Sequence, residues 1–267
     1  MSRPRNRVAR AFAGYAFDLD GTLYIGDRLL PHAAEVVRDI RARGGRVVFV
    51  TNKPLETAAD YAAKLTRLGI EASAEDVVTA LDSLFLYLDE RHPGARVLAI
   101  AEPLVAEQLG GRGFPTTDDP EAADLVVVAF DRTFDYAKLN AAYRAVRLRG
   151  IPYVGTNPDP YCPTPDGGLP DCAAMLAAIA ACTGVQPEAV LGKPSAYMAK
   201  AVVARLGVSP DKVAMVGDRI TTDVAMARSH GLASVLVLTG ASSRRDVDGA
   251  TIKPDYVIDD LSEVLPN

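Results

Sequence analysis

The chain has 267 residues, 49% hydrophobic and 24% charged, which is the make-up of a globular protein with room for one large domain or two smaller ones. Its formal net charge of -5 argues against a general nucleic-acid binder but leaves small anionic substrates open, because local charge governs those. No apolar run approaches the roughly 18 residues that span a membrane, so no membrane partner is expected.

The first ten residues carry Arg3, Arg5, Arg7 and Arg10 and no acid. A secretory signal needs a longer apolar stretch after the basic one, so residues 1–13 read as a flexible, solvated tail. The three cysteines, Cys162, Cys172 and Cys182, are odd in number and lack C-x-x-C spacing. That pattern fits reduced thiols and a cytoplasmic location. The three histidines, His32, His92 and His230, are scattered and have no partner at metal-ligand spacing.

Residues 15–19 read as a short buried strand that ends in Asp18 and Asp20, with Gly21 to turn the backbone. A helix from Pro31 carries Val36, Val37 and Ile40 on one face and stops at Gly44-Gly45. Residues 46–50 form a second buried strand ending in Thr51-Asn52, and a helix with Tyr61, Leu65 and Leu68 inward follows. A second α/β pattern begins near Asp82, with strands at 96–100, 125–129 and 152–154 and an amphipathic helix over 136–149. Residues 156–170 are rich in Pro, Gly and Asp, the longest turn-like stretch, and Asp171 caps an Ala-rich helix. The third section has Gly192-Lys193-Pro194 before a helix, a buried strand at 212–216 ending in Gly217-Asp218, and further strands at 234–238 and 256–258. Alternating strands and helices imply an α/β fold with a mostly parallel sheet and helices on both faces.

In such a sheet the carboxyl ends of the strands face the ligand. Asp18, Asp20, Thr51, Asn52 and Asp218 all fall at strand ends, and Asp223 follows on the first turn of a helix. Each piece has a plainer use. Thr51-Asn52 would cap the next helix, Lys193-Pro194 would be a loop lysine, and Gly217-Asp218 an ordinary strand-to-helix turn. Their joint occurrence, each at an element boundary, favours phosphoryl transfer, which consists mostly of positioning and charge neutralisation. Asp18 is then the nucleophile and Asp20 the general acid and base. The Thr51 hydroxyl and nearby backbone N–H groups at a helix start hold the phosphate, with Asn52 a further substrate contact, and Lys193 neutralises it. Four aspartates, Asp18, Asp20 (through its carbonyl), Asp218 and Asp223, carry about four negative charges against about one from Lys193, an imbalance that calls for a divalent cation, Mg²⁺. Asp223 either binds the metal directly or supports a residue that does.

Asp18-Leu-Asp-Gly-Thr22, Thr51-Asn52, Gly192-Lys193-Pro194-Ser195 and Gly217-Asp218-Arg219-x-x-Thr222-Asp223 resemble the four motifs of the haloacid dehalogenase (HAD) superfamily. The gap of about 140 residues between Thr51 and Lys193, and Thr156-Asn157-Pro158-Asp159 within it, resemble the subclass IIA or NagD-like phosphatases. Asp171-Cys-Ala-Ala-Met-Leu, Lys193-Pro-Ser-Ala-Tyr-Met-Ala and Val237-Leu-Thr-Gly240 look similar to sugar phosphatases of that group. The resemblance implies a three-layer Rossmann-like core at 1–81 and 184–267. It also implies an inserted α/β C2-type cap at 82–183 that closes over the core and sets specificity. It further implies hydrolysis of a small phosphorylated metabolite through a phospho-aspartate, sugar phosphates first, with nucleotides, phosphoglycolate and pyridoxal phosphate as alternatives. Asn157, Asp159 and Asp171 join Thr51, Asn52 and Lys193 as expected substrate contacts, and a homodimer through the cap is compatible with the resemblance. Two departures stand out: Lys53 follows Asn52, where relatives often have a neutral residue, and Asp171-Cys172 stands where many relatives carry Pro-Gly or Gly-rich sequence after Pro170. A receiver-like signalling module and a non-catalytic phosphate binder are the rival classes. The first places its phosphoacceptor differently and lacks a hundred-residue insertion, and the second has no need of both Asp18 and Asp20.

Overall fold

The computed structural model describes residues 7–162 and 167–266. The chain forms two compact units. The first takes in the described residues through Thr51, Ala58–Val78 and everything from Met198 on, and the second takes in Asn52–Thr57 and Thr79–Tyr197.

The first unit is built on a six-stranded sheet in the order Tyr256–Ile258, Ala233–Val237, Val213–Gly217, Gly14–Asp18, Arg46–Thr51, Val77–Thr79. The pairings from Tyr256–Ile258 through Arg46–Thr51 are parallel. Gly14–Asp18 is central and wholly buried, which is why Tyr-Ala-Phe reads as a continuous apolar run rather than an alternation. Its side chains still alternate between faces. Tyr15 and Phe17 share a core with Val36, Val37 and Ile40 of the helix Ala33–Ala42 and with Tyr61 and Leu65 of the helix Ala58–Arg67. On the other face Gly14 faces Leu206, from the helix Ala196–Leu206, so closely that a Cβ on Gly14 would lie 3.1 Å from Leu206 Cδ1. These layers on either side of a parallel sheet are the three-layer core expected from the sequence.

Of the stretch read as a tail, residues 1–6 lie outside the described residues. Val8 and Phe12 are buried in the first unit's core, and the Val8 N–H donates to the Glu263 carbonyl (3.4 Å). From Val8 onward the chain is therefore packed, because two apolar side chains four apart find a hydrophobic partner between the arginines.

The second unit has its own four-stranded parallel sheet, ordered Ala189–Val190, Tyr153–Gly155, Leu125–Val128, Val97–Ile100. One face packs Leu84, Leu88, Val105 and Leu109 against Val97, Leu125 and Val127. The other packs Ala142, Val146, Met175 and Ile179 against Leu98, Val126 and Val128. The helix expected over 136–149 is α-helical over Tyr136–Tyr143 and continues in wider π turns over Arg144–Leu148. The turn-rich stretch contains a small antiparallel pair, Tyr161–Cys162 with Leu169–Pro170, and residues 163–166 between them lie outside the described residues. Among the described residues no helix is long and apolar enough to cross a membrane.

Candidate active site

In the first unit the strand register determines what comes together. Asp18 pairs with Val50, so Thr51 stands one residue beyond it on the neighbouring strand. Phe17 pairs with Val216 on the other side, so Gly217-Asp218 leaves the sheet beside Asp18. Adjacent strands lie about 4.8 Å apart, which brings the residues at their ends within reach of one another. Asp18, Asp218 and Asp223 each offer a carboxylate oxygen within 4.8 Å of the others. Asp218 and Asp223 are buried, and Asp18 is 9% exposed.

The backbone around this cluster holds it in place. Asp223 Oδ2 accepts the Arg219 N–H (3.0 Å), so the acid reaches back to the residue that opens its own helical stretch, Ile220–Val224. Asp218 Oδ2 accepts the Ala241 N–H (2.5 Å), and the Asp218 carbonyl accepts the Ser242 N–H (3.1 Å). Thr239 Oγ1 donates to the Gly21 carbonyl (2.7 Å), lacing the same loop to the turn after Asp18. Glycines allow the close approach. A Cβ on Gly21 would lie 2.5 Å from Asp218 Oδ2, and one on Gly240 would lie 2.6 Å from Asp218 Cγ. Gly21 also has φ +84°, which a side chain would strain. The loop 239–242 is a part of the site that residue-type reasoning missed. The only signal was the similarity of Val237-Leu-Thr-Gly240 to sugar phosphatases.

Asp20 sits in a tight turn, where the Gly21 N–H donates to the Tyr24 carbonyl (2.8 Å). It is half-buried, and its carboxylate is not part of the three-carboxylate cluster. Thr51 is buried at its strand end.

The remaining predicted residues lie in the second unit and are drawn together there. Asn52, Asn157, Asp159, Asp171 and Lys193 are all buried. Asn52 Nδ2 donates to Asp159 Oδ2 (2.8 Å) and to the Lys193 carbonyl (3.2 Å), and Asn52 Oδ1 accepts the Lys193 N–H (2.7 Å). Asn157 Nδ2 donates to the Asn52 carbonyl (3.1 Å) and to Asp171 Oδ1 (3.3 Å). Burial pushes the Asp171 carboxyl up to about 6; the Cys172 N–H works against that shift and the nearby Asp159 adds to it. Burial likewise pushes the Cys172 thiol up to about 12, so it is a neutral packing group at pH 7. Its Sγ contacts the Val128 carbonyl (3.3 Å).

A haloacid dehalogenase-like hydrolase model matches residues 15–115, and a second HAD-hydrolase-like model matches residues 190–264. The sugar-phosphatase AraL of Bacillus subtilis is 32% identical over 252 residues, spanning 94% of this chain and 92% of its own. The chain belongs to the haloacid dehalogenase-like hydrolases. Among solved structures of this family, a 4-nitrophenylphosphatase from Thermotoga maritima superposes with a TM-score of 0.89 at 34% identity, covering 94% of this chain and 95% of that one. A glycerol phosphate phosphatase from Mycobacterium tuberculosis, solved in complex with magnesium, superposes with a TM-score of 0.87 at 34% identity, covering 95% of this chain and 77% of that one.

Proposed function

We propose that this hydrolase is a Mg²⁺-dependent phosphatase of small phosphomonoesters, sugar phosphates first, acting through a phospho-aspartate on Asp18. The observation that carries the reading is the cluster of Asp18, Asp218 and Asp223 carboxylates at adjacent ends of the parallel strands. The donor set fits the metal: it is all carboxylate oxygen, without sulfur or imidazole, which suits a hard cation. Three acids this close and this buried also need a countercharge. The phosphatase names of the relatives, one of them with magnesium, support the same reading.

Asp18, Asp218 and Asp223 would hold the ion, with the Asp20 carbonyl as a further oxygen, and the ion would supply positive charge opposite the phosphate. Asp18 Oδ attacks phosphorus, forming the acyl phosphate as the ester P–O bond breaks. Asp20 gives its proton to the departing alcohol oxygen, then takes a proton from the water that attacks the phospho-aspartate. Inorganic phosphate leaves and the Asp18 carboxylate is restored. The Thr51 hydroxyl holds phosphate oxygens, and Lys193 neutralises phosphate charge. The inserted stretch 82–183, which lies within the second unit, is the specificity cap in this proposal, the protein is cytoplasmic, and a homodimer forms through the cap.

The test is release of inorganic phosphate from p-nitrophenyl phosphate with Mg²⁺ and with EDTA, followed by a panel of phosphorylated metabolites ranked by kcat/KM. Metal-dependent turnover with sugar phosphates at the top is expected. Turnover indifferent to EDTA would contradict the proposal, and nucleotides at the top would move the substrate class.

A further inference from the structure

Lys193 would have a narrow task, placing one ammonium against a phosphate, and the second unit fixes its backbone with unusual completeness. Asn52 grips both polar groups of the Lys193 residue, accepting its N–H (2.7 Å) and donating to its carbonyl (3.2 Å). The orientation of the Asn52 amide is chemically forced. A backbone N–H only donates and a backbone carbonyl only accepts, so Oδ1 must face Lys193 N and Nδ2 must face the Lys193 carbonyl, which also turns Nδ2 to Asp159 Oδ2 (2.8 Å). Asp159 is held in turn, its own N–H donating to Asn157 Oδ1 (2.9 Å), and Asn157 Nδ2 ties back to the Asn52 carbonyl (3.1 Å). The loop before Lys193 is pressed onto this network. A Cβ on Gly192 would lie 2.6 Å from the Thr156 carbonyl, 2.7 Å from Asn52 Oδ1 and 3.0 Å from Asn157 Cβ. Three segments far apart in sequence, at 52, 156–159 and 192–193, thus form one buried hydrogen-bonded block. Asn157 is fully buried, which leaves its side chain no face for a substrate.

We propose that Asn52, Asn157 and Asp159 are positioning residues for Lys193 and do not contact the leaving group. The inference rests on the reading of Lys193 as the group that neutralises phosphate. The chemistry of the block suits this role. Buried polar networks with every partner in place are stiff, and displacing a catalytic group by about 1 Å costs on the order of 100-fold in rate. The Asp159 carboxylate serves as an acceptor for Asn52 Nδ2, a duty that an amide oxygen also fulfils.

The experiment measures kcat/KM for p-nitrophenyl phosphate and for a hexose 6-phosphate in Asn52→Ala, Asp159→Ala, Asp159→Asn, Lys193→Ala and the double variant Asn52→Ala/Lys193→Ala. Thermal melts of each variant accompany the kinetics. Asn52→Ala and Asp159→Ala are expected to lose about 10- to 100-fold, by the same factor with both esters. Asp159→Asn is expected to recover to within about fivefold of the unaltered enzyme, because it keeps the acceptor. Adding Asn52→Ala to Lys193→Ala is expected to cost less than about threefold more, since a lysine that is absent cannot be misplaced. A general loss of folded protein would instead lower the double variant further. A loss confined to the hexose phosphate would overturn the proposal by making these residues leaving-group contacts, and so would Asp159→Asn as poor as Asp159→Ala. Near-normal activity in Lys193→Ala alone would refute the underlying role of Lys193 and the positioning claim with it. That single variant separates the two failures.

Discussion

Replacing Gly240 with alanine adds one methyl group at the wall of the carboxylate cluster. The new Cβ would lie 2.6 Å from Asp218 Cγ and 2.8 Å from Asp218 Cβ. Carbon atoms that are not bonded prefer about 3.5–4.0 Å, so Asp218 must retreat by about 1 Å or the loop must move with it. Retreat also breaks the bond that Asp218 Oδ2 accepts from the Ala241 N–H (2.5 Å). Gly240 has no left-handed φ, so the effect is one of space alone. Overpacking of this kind costs about 1–3 kcal/mol of stability. The larger effect falls on the metal, because ligand positions tolerate only about 0.2 Å. Disturbing even the groups that support metal ligands costs about 10- to 100-fold in affinity, or roughly 1.4–2.7 kcal/mol. The assay is the Mg²⁺ concentration at half-maximal turnover of p-nitrophenyl phosphate, with metal binding followed by calorimetry. Gly249→Ala, at a helix end with nothing within 4 Å, is the matched control and is expected to bind metal normally. A Gly240→Ala enzyme that half-saturates within about threefold of the unaltered one would refute the placement of Asp218 in the metal site.

Two further outcomes follow from the second unit. Asp171 has its carboxyl raised to about 6 from 3.8, so between those values the unfolded chain has released a proton that the folded chain keeps. Its contribution favours folding most below about pH 4 and is lost as pH rises through 6, a swing of about 3 kcal/mol to which Asp159 adds and which Lys53 and Asn157 oppose. Asp171→Asn is expected to gain stability relative to the unaltered protein on going from pH 4.5 to pH 7.5 in urea titrations; a difference independent of pH would contradict the shift. Of the three cysteines, only Cys182 is exposed, so a thiol reagent is expected to label one site quickly in the native protein and all three in urea. Fast native labelling of Cys172 would contradict its burial and raised pKa.

The catalytic half of the site was legible because its signals are local. Tyr-Ala-Phe, Val-Val-Phe-Val and Val-Ala-Met-Val are short apolar runs that end abruptly in Asp18, Thr51 and Asp218, and a parallel sheet aligns such ends. The pairing of Asn52 with Asp159 and Lys193 was not legible, since partners more than a hundred positions apart leave no trace in spacing. Their polar character drew them into the list of expected substrate contacts, but polarity alone does not reveal whether a side chain faces a ligand or a neighbour. The loop at 239–242 was missed for another reason: its work is done by backbone N–H groups and by the missing side chain of Gly240. The two-residue strands Tyr161–Cys162, Leu169–Pro170 and Ala189–Val190 are too short for any periodicity to register. Val8 and Phe12 were hidden among arginines, whose charge outweighed two apolar residues in a compositional reading.

The central claim is that Asp18 carries the phosphoryl group, and it is tested most directly by rapid quench of a single turnover in Asp20→Asn. With p-nitrophenyl phosphate, whose leaving group departs without a proton from Asp20, and with no base to activate water, that variant is expected to form phospho-enzyme slowly and to retain it, and peptide mass spectrometry is expected to place the phosphoryl group on Asp18, with none trapped in Asp18→Asn. A phosphoryl group on any other residue, or turnover in Asp18→Asn at the unaltered rate, would contradict the account.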